Sequence, residues 1–281
     1  MEHLNAMVKS VCDIISCNIK NVKQTVGMAV IDLKKRYSSS SFGLAWAIIK
    51  PMLFVLVYWF GIEVGIRGGK SADSGVPFIL WLIAGILPWF FVSEALVQCG
   101  LSIRSHRHLV TKSVFPIPTI PTFSELSLFF VHMILIGIAA VIFIIYGIVT
   151  GNFLLDEHFI QIIYCLISLF VMMWTISVFF SALVVVSRDF EYLLKSATQI
   201  LFWLSPILWD IKRIEKIKFI YYVVRINPIT YVIGIYRDAF LGRWCFTDVK
   251  GLLCFWVEII IMCFVSCFVF RRLQHEFADI L

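Results

Sequence analysis

Apolar residues in this 281-residue chain come in long, nearly unbroken runs rather than in short alternations. A helix needs about 20 mostly apolar residues to cross a bilayer. Six runs qualify as candidates: Phe42–Gly65, Pro77–Leu101, Thr122–Thr150, Phe159–Val186, Tyr192–Trp209 and Gly251–Phe270. The third is long enough to tilt. The fifth is short, and Pro206 interrupts it. The pattern predicts an all-α polytopic membrane protein, with an N-terminal segment over 1–41 and a transmembrane domain over 42–281.

Two stretches depart from this pattern. Phe219–Phe240 is apolar and aromatic, but Arg225 and Asn227-Pro228 break it. Proline lacks the amide hydrogen and disfavours helical geometry in the residue before it, so two short helices are expected around the break. A re-entrant hairpin, viable at membrane depth only when buried in protein, and a plain interfacial loop both fit. Upstream of the first run, residues 1–41 mix polar and apolar positions and include acids, unlike a cleavable signal. Within them, Thr25–Ser41 sets Val26, Val30, Leu33 and Tyr37 on one stripe, with Lys34, Lys35 and Arg36 mostly off it. That is an amphipathic helix suited to the cytoplasmic membrane surface. The serines after it are expected to cap the first span.

Composition narrows the class. Apolar residues make up 60% and charged residues 15%, against ~45–50% and ~25% in globular domains. Soluble enzyme classes therefore drop out. The aromatic share of 16%, with 26 Phe, exceeds what lipid contact asks for. The net charge of +6 does not imply nucleic acid, because Lys and Arg sit beside apolar runs and set topology there. Placing the N-terminus in the cytoplasm puts Lys9, Lys20, Lys23, Lys34, Lys35, Arg36, Lys50, Arg104, Arg107, Lys112, Arg188, Lys195, Arg271 and Arg272 inside. Both termini are then cytoplasmic. The loop 210–250 opposes this bias with Lys212, Arg213, Lys216, Lys218, Arg225, Arg237, Arg243 and Lys250.

Candidate chemistry is sparse. Gly69-Lys70-Ser71 resembles the end of a nucleotide-binding loop, but the glycine that loop requires is replaced by Val64. The chain is not expected to hydrolyse ATP. Eight cysteines include no CxxC pair, so no metal or redox site is expected. Glu63, Glu94, Glu125, His132 and Glu258 lie in or near spans, where ionisable residues are functional candidates. They form no i,i+4 pair and no acid-rich helix, which disfavours an ion relay. The loop Ser102–Phe115 is basic and histidine-rich. His106 and His108 have no third ligand nearby, so a metal is not expected. The loop either sets topology or docks a cytoplasmic partner through Leu109, Val110 and Phe115.

Short motifs recur in a telling order. Asp32-Leu33-Lys34 and Arg36-Tyr37 precede Ser41, Gly43, Trp46 and Pro51. Gly85 and Pro88-Trp89-Phe90 follow, then Leu109, Lys112 and Phe115-Pro116. Arg188-Asp189, Ser205-Pro206-Ile207, Asn227-Pro228-Ile229-Thr230-Tyr231 and Tyr236-Arg237-Asp238 complete the series. Over roughly 25–272 the chain resembles the ABC-2 family of transporter permeases, in the branch exporting polysaccharides, O-antigens, capsules and teichoic acids.

The resemblance implies a homodimer in the bacterial cytoplasmic (inner) membrane, with two separate ABC ATPase subunits docked below. ATP and Mg would sit on those ATPases, with no cofactor on this chain. Arg104, His106, Arg107, Leu109, Lys112 and Phe115 would form the coupling helix, and Thr25–Ser40 the gate helix. Segments around 211–240, with Arg225, Asn227, Pro228, Tyr231 and Arg237, would cap the outer mouth. The substrate would be a glycan or polyol-phosphate polymer on an undecaprenyl-type carrier. Lys34, Lys35, Arg36 and Tyr37 either hold topology or meet the carrier pyrophosphate at the entrance. Trp46, Tyr58, Trp59, Trp89, Phe90, Trp174, Phe202 and Trp203 either face lipid and core or stack on sugar rings along a channel. The basic outer loop exceeds the family pattern and fits an anionic polymer. An ABC-2 permease for drugs or small lipids and an ion-coupled secondary transporter are the rival readings. For a membrane glycosyltransferase, Asp156-Glu157 is too little.

Overall fold

The computed structural model describes residues 2–38, 40–66, 76–111 and 115–281, and among them every regular element is helical. The chain opens with α1 (Glu2–Lys20) and α2 (Val22–Tyr37). The first span, Gly43–Gly65, is built from a 3-10 turn, α3 (Trp46–Trp59) and a π-helical end. Next come α4 (Phe78–Gly100), two short helices α5 (Ser102–Ser105) and α6 (Arg107–Thr111), and the long α7 (Thr119–Thr150). Then follow α8 (Ile162–Val186), α9 (Asp189–Leu204), α10 (Lys218–Ile226), α11 (Pro228–Phe240), α12 (Val249–Leu273) and the one-turn α13 (Phe277–Ile280).

Among the described residues, five helical stretches are long and apolar enough to span a bilayer: Gly43–Gly65, Phe78–Gly100, Thr119–Thr150, Glu157–Val186 and Val249–Ile280. The pair α10 and α11 is a sixth candidate if counted as one broken span. The expected span 192–209 takes a different form. Its helix, α9, has 16 residues and ends at Leu204, about 24 Å at 1.5 Å per residue. Ser205 adopts an extended backbone directly ahead of Pro206, as the steric demand of the ring requires.

Helix α4 is the hub. From Phe78 to Val92 it is apolar on all sides, and 78% of its most apolar stretch is buried inside the chain. A helix without a polar face belongs in an interior. It packs against α7, α8, α9, α11 and α3. The first span is the opposite case: only 6% of its apolar stretch is buried within this chain.

The break at Asn227-Pro228 is as the sequence predicts. Asn227 Oδ1 accepts from the Ile229 amide at 3.1 Å, Pro228 takes the first helical position, and α10 and α11 meet at 81°. Only one arm is buried. α11 hides Ile229, Val232, Ile233, Tyr236 and Phe240, whereas in α10 Val224 alone is buried.

Three other expectations change. Residues 2–37 form two helices hinged at Asn21 instead of one helix from Thr25. In α2 the buried side is Thr25, Ala29 and Asp32; Val26 and Val30 are exposed. No described serine caps the first span: Phe42 holds the N-cap position with no side-chain bond, and Gly43 turns the chain at φ +51°. Ser39 and Gly69-Lys70-Ser71 lie outside the described residues.

At one end of the bundle, here called the base, α1, α2, α5 and α13 close a second apolar cluster. Ile14, Ala29, Ile103, Phe123, Phe270 and Phe277 are at its centre. Asp13 pairs with Arg271 at 3.2 Å, tying α1 to the end of α12.

Candidate functional site

An aromatic groove runs along α3, α4 and α9. Phe202 of α9 is buried, with its ring 5.3 Å from Tyr58 and 5.5 Å from Trp89. Two adjoining hollows share Phe54, Phe90 and Ser93. The first holds about 660 Å³ of space open to the outside and reaches Tyr37, Trp46, Lys50 and Glu94. The second holds about 650 Å³ and is walled by Tyr58, Trp89, Lys195, Gln199 and Phe202. Aromatic walls with a few polar groups are the usual lining of a ligand site. Here the rings offer flat apolar faces, and Ser93, Gln199 and Lys195 offer hydrogen bonds.

Of the expected channel aromatics, Trp46, Tyr58, Trp89, Phe90 and Phe202 line these hollows. Trp203 stands edge-on to Phe202 at 5.5 Å and is exposed. Trp59 packs against the main core. Trp174 lies apart, its indole nitrogen donating to Thr122 Oγ1 at 2.9 Å across α7 and α8. Phe54, one helical turn before Tyr58 and stacked on it at 6.1 Å, joins the groove unannounced. Its i,i+4 spacing from Tyr58 was the available signal.

At the base, Asp32 joins three elements. Its Oδ2 accepts from Arg36 Nε at 2.8 Å and from Ser127 Oγ of α7 at 2.6 Å. Its Oδ1 lies 3.5 Å from Nε2 of His106, between α5 and α6. His106 Nδ1 in turn faces the Ser102 carbonyl at 3.0 Å. Asp32 is 5% exposed. Burial pushes its carboxyl up, but bonds to His106, Arg36 and Ser127 outweigh that and bring it down to about 2. Burial and neighbouring Glu94 push the Tyr37 hydroxyl up, Arg36 opposing them.

Among the expected entrance residues, Lys34 and Lys35 are exposed, while Arg36 is turned toward Asp32. Tyr37 reaches the groove. Among the expected coupling residues, Arg107 is exposed, Arg104 is half-buried and His106 is buried. Leu109 and Phe115 pack partly against the chain's own basal cluster, which leaves less of them to anchor a partner. Lys112 lies outside the described residues.

At the far end, Arg237 of α11 acts as a clasp. Its guanidinium donates to the carbonyls of Pro206 at 2.7 Å and Ile207 at 2.6 Å. It also lies 3.5 Å over the ring of Trp81 in α4, a cation–π contact. Gly85 makes room: a Cβ there would fall 2.5 Å from Arg237 Nη2. Asn227 Nδ2 donates to Ser205 Oγ at 3.1 Å, so α11 holds the turn after α9 at two points. Tyr231 bonds Tyr164 at 2.9 Å and stacks on Phe255 at 4.7 Å. Arg225 bonds Tyr221 and Asp248, each at 2.6 Å. The expected outer residues thus split into a half-buried group at Asn227, Pro228, Tyr231 and Arg237, and half-buried Arg225, which links α10 to Asp248 at the start of α12.

Residues 23–241 match the profile of the ABC-2 type transporter family. The chain belongs to that family. Relatives of this ABC-2 chain include the O-antigen export system permease protein RfbA of Klebsiella pneumoniae, 27% identical over 252 residues, with 89% of this chain and 92% of that one covered. The O-antigen export system permease protein RfbA of Myxococcus xanthus is 21% identical over 251 residues, covering 88% and 91%. The ABC-2 match ends within the far-end clasp, four residues past Arg237, and leaves α1 and α12 outside it.

Proposed function

We propose that this chain is the membrane subunit of an ATP-driven exporter carrying a lipid-linked polysaccharide or teichoic-acid-type polymer. The aromatic groove of Tyr58, Trp89, Phe90 and Phe202 carries this reading. Sugar rings present apolar C–H faces that stack on aromatic faces, and such contacts let a polymer slide where a fixed set of hydrogen bonds would hold it. The relatives named as O-antigen export permeases support the same substrate class.

A second copy of this chain completes the conduit. The first span is 6% buried within one chain, which leaves its surface for lipid and for a partner copy. Two grooves facing each other would close into one path. Two ABC ATPases would dock at the base against Arg104 and Arg107, holding the ATP and Mg that this chain does not. Their closure would move α5 and α6, with Asp32 passing the displacement to α2 and α7. The base then faces the cytoplasm of a bacterial inner membrane, α9 completes the sixth crossing, and α10 and α11 cap the outer mouth.

Deleting the chain in its own cell and restoring it tests the reading. Undecaprenyl-linked polymer should accumulate inside and vanish from the surface, with the wild type restoring export and Trp89→Ala with Phe202→Leu failing to. Unchanged surface polymer on deletion would overturn it. Sensitivity to drugs without a polymer defect would favour the small-molecule permease.

A further inference from the structure

Helix α12 carries a carboxyl within its span that no cation of this chain answers. Glu258 lies eight residues from Lys250 at the far end of α12 and thirteen from Arg271 at the base. At 1.5 Å per residue these are about 12 Å and about 20 Å, which together match the thickness of a hydrocarbon core. Glu258 is half-buried and joins no ion pair among the described residues. Its only hydrogen bond among them comes from the Cys254 thiol, at 3.2 Å to Oε1. A thiol is a weak donor, whereas an ionised carboxyl has room for about four bonds. A charge held this way in hydrocarbon is costly, and such groups pair or turn to the protein interior.

The side of α12 next to Glu258 is uncovered within this chain. Leu253, Cys254, Val257, Ile260 and Ile261 are exposed. They recur every three or four residues and so form one ridge, with Glu258 on its flank beside Cys254. Helix α12 packs chiefly on α8 and α1, whereas α3 packs on α4, and α9 on α4 and α8. Thus α4 and α8 stand between the ridge and the aromatic groove. A second copy closing the groove leaves the ridge open. Lipid tails suit its aliphatic part. They do not answer the carboxyl, and the headgroups stay at the surface, about 12 Å away.

We propose that this ridge docks a bilayer-spanning helix of a second, different membrane protein, which brings a lysine or arginine to Glu258. The sign of the charge selects a basic side chain. The depth selects a spanning helix over a lipid headgroup or a surface-bound protein. A basic residue alone in a span is as costly as the acid, so each helix supplies what the other lacks. The proposal rests on the export reading only for the place of the second copy.

Energy transfer in phosphatidylcholine vesicles tests this, between the full-length chain labelled at its C-terminus and a labelled synthetic helix. The probe is a polyleucine span with a single arginine near its middle, whose long side chain reaches the depth of Glu258 in either orientation. The control is polyleucine alone. The arginine probe should associate at a roughly tenfold lower peptide-to-lipid ratio than the control. Glu258→Gln should abolish that advantage. Val257→Trp, which crowds the crest of the ridge and leaves the carboxyl in place, should abolish it too. Equal association of probe and control overturns the proposal, as does an advantage that survives either substitution. A disulfide between Cys254 of two copies, formed with copper phenanthroline in the same vesicles, also overturns it, since the ridge then faces a second copy. No readout involves export, so failure here leaves the transport reading intact.

Discussion

Replacing Asp32 by Asn keeps the side chain's shape and removes the charge that His106, Arg36 and Ser127 converge on. The carboxyl falls from 3.8 to about 2 because these donors outweigh burial. A depression of about 1.8 units, at about 1.36 kcal/mol per unit, is worth roughly 2 kcal/mol near neutral pH. Because the folded value lies below the unfolded one, that stabilisation is full above about pH 4 and drains away as pH falls toward about 2. Asp32→Asn should therefore lower the unfolding midpoint near pH 7 by several degrees, at roughly 2–4 °C per kcal/mol for a chain this size. The gap from wild type should close as the solution is acidified. Tryptophan fluorescence of the protein in nanodiscs measures both. In the complex with its ATPase, polymer exported per ATP should fall further than the amount of assembled complex does, because the junction links α2, α6 and α7. A variant with the wild-type midpoint near pH 7 and the wild-type ratio of export to ATP would refute the reasoning.

Gly85→Ala should displace the Arg237 guanidinium from Trp81, at an overpacking cost of about 1–3 kcal/mol, and Arg237→Met should partly restore stability in the double variant. Thermal unfolding decides, and an undisturbed Gly85→Ala would remove the clasp. Phe202→Ala should cost about 3–5 kcal/mol as a core aromatic. Phe202→Leu should keep most of that stability and, on the proposed reading, still reduce export, since only a ring can stack on a sugar face; wild-type export by Phe202→Leu counts against the groove. Asn227→Ala should cost about 1 kcal/mol through the lost cap of α11, whereas Asn227→Asp keeps the cap and lets the Ser205 hydroxyl donate in the reverse direction; hydrogen exchange in the first turn of α11 separates them.

Much of this architecture is written in runs of apolar residues, because a bilayer imposes length and polarity on each span independently of the others. Asn227-Pro228 was equally legible, since its effect on the helix is local. What depends on three dimensions was not. Asp32 reads as one more charge in a basic stretch, and only the fold brings Ser127 and His106 to it. Trp174 reads like Trp89, yet its phase on α8 turns it to Thr122. α9 carries Glu191, Lys195 and Gln199 along one side, and that polarity with Pro206 makes it shorter than its apolar residues suggest. α1 was missed although Val8, Val11, Ile15 and Ile19 recur at spacings of three, four and four, an amphipathic signal as plain as that of α2.

The central position of α4 has a consequence for biosynthesis. This helix leaves the ribosome early, yet one of the elements enclosing it, α11, follows about 130 residues later, a wait on the order of ten seconds at ordinary translation rates. During that interval α4 must be sheltered by lipid or by the insertion machinery. The guanidinium of Arg237 arrives last, but the carbonyls of Pro206 and Ile207 and the ring of Trp81 precede it along the chain. A charge that would be costly to leave in hydrocarbon thus emerges only after every group that receives it has been made.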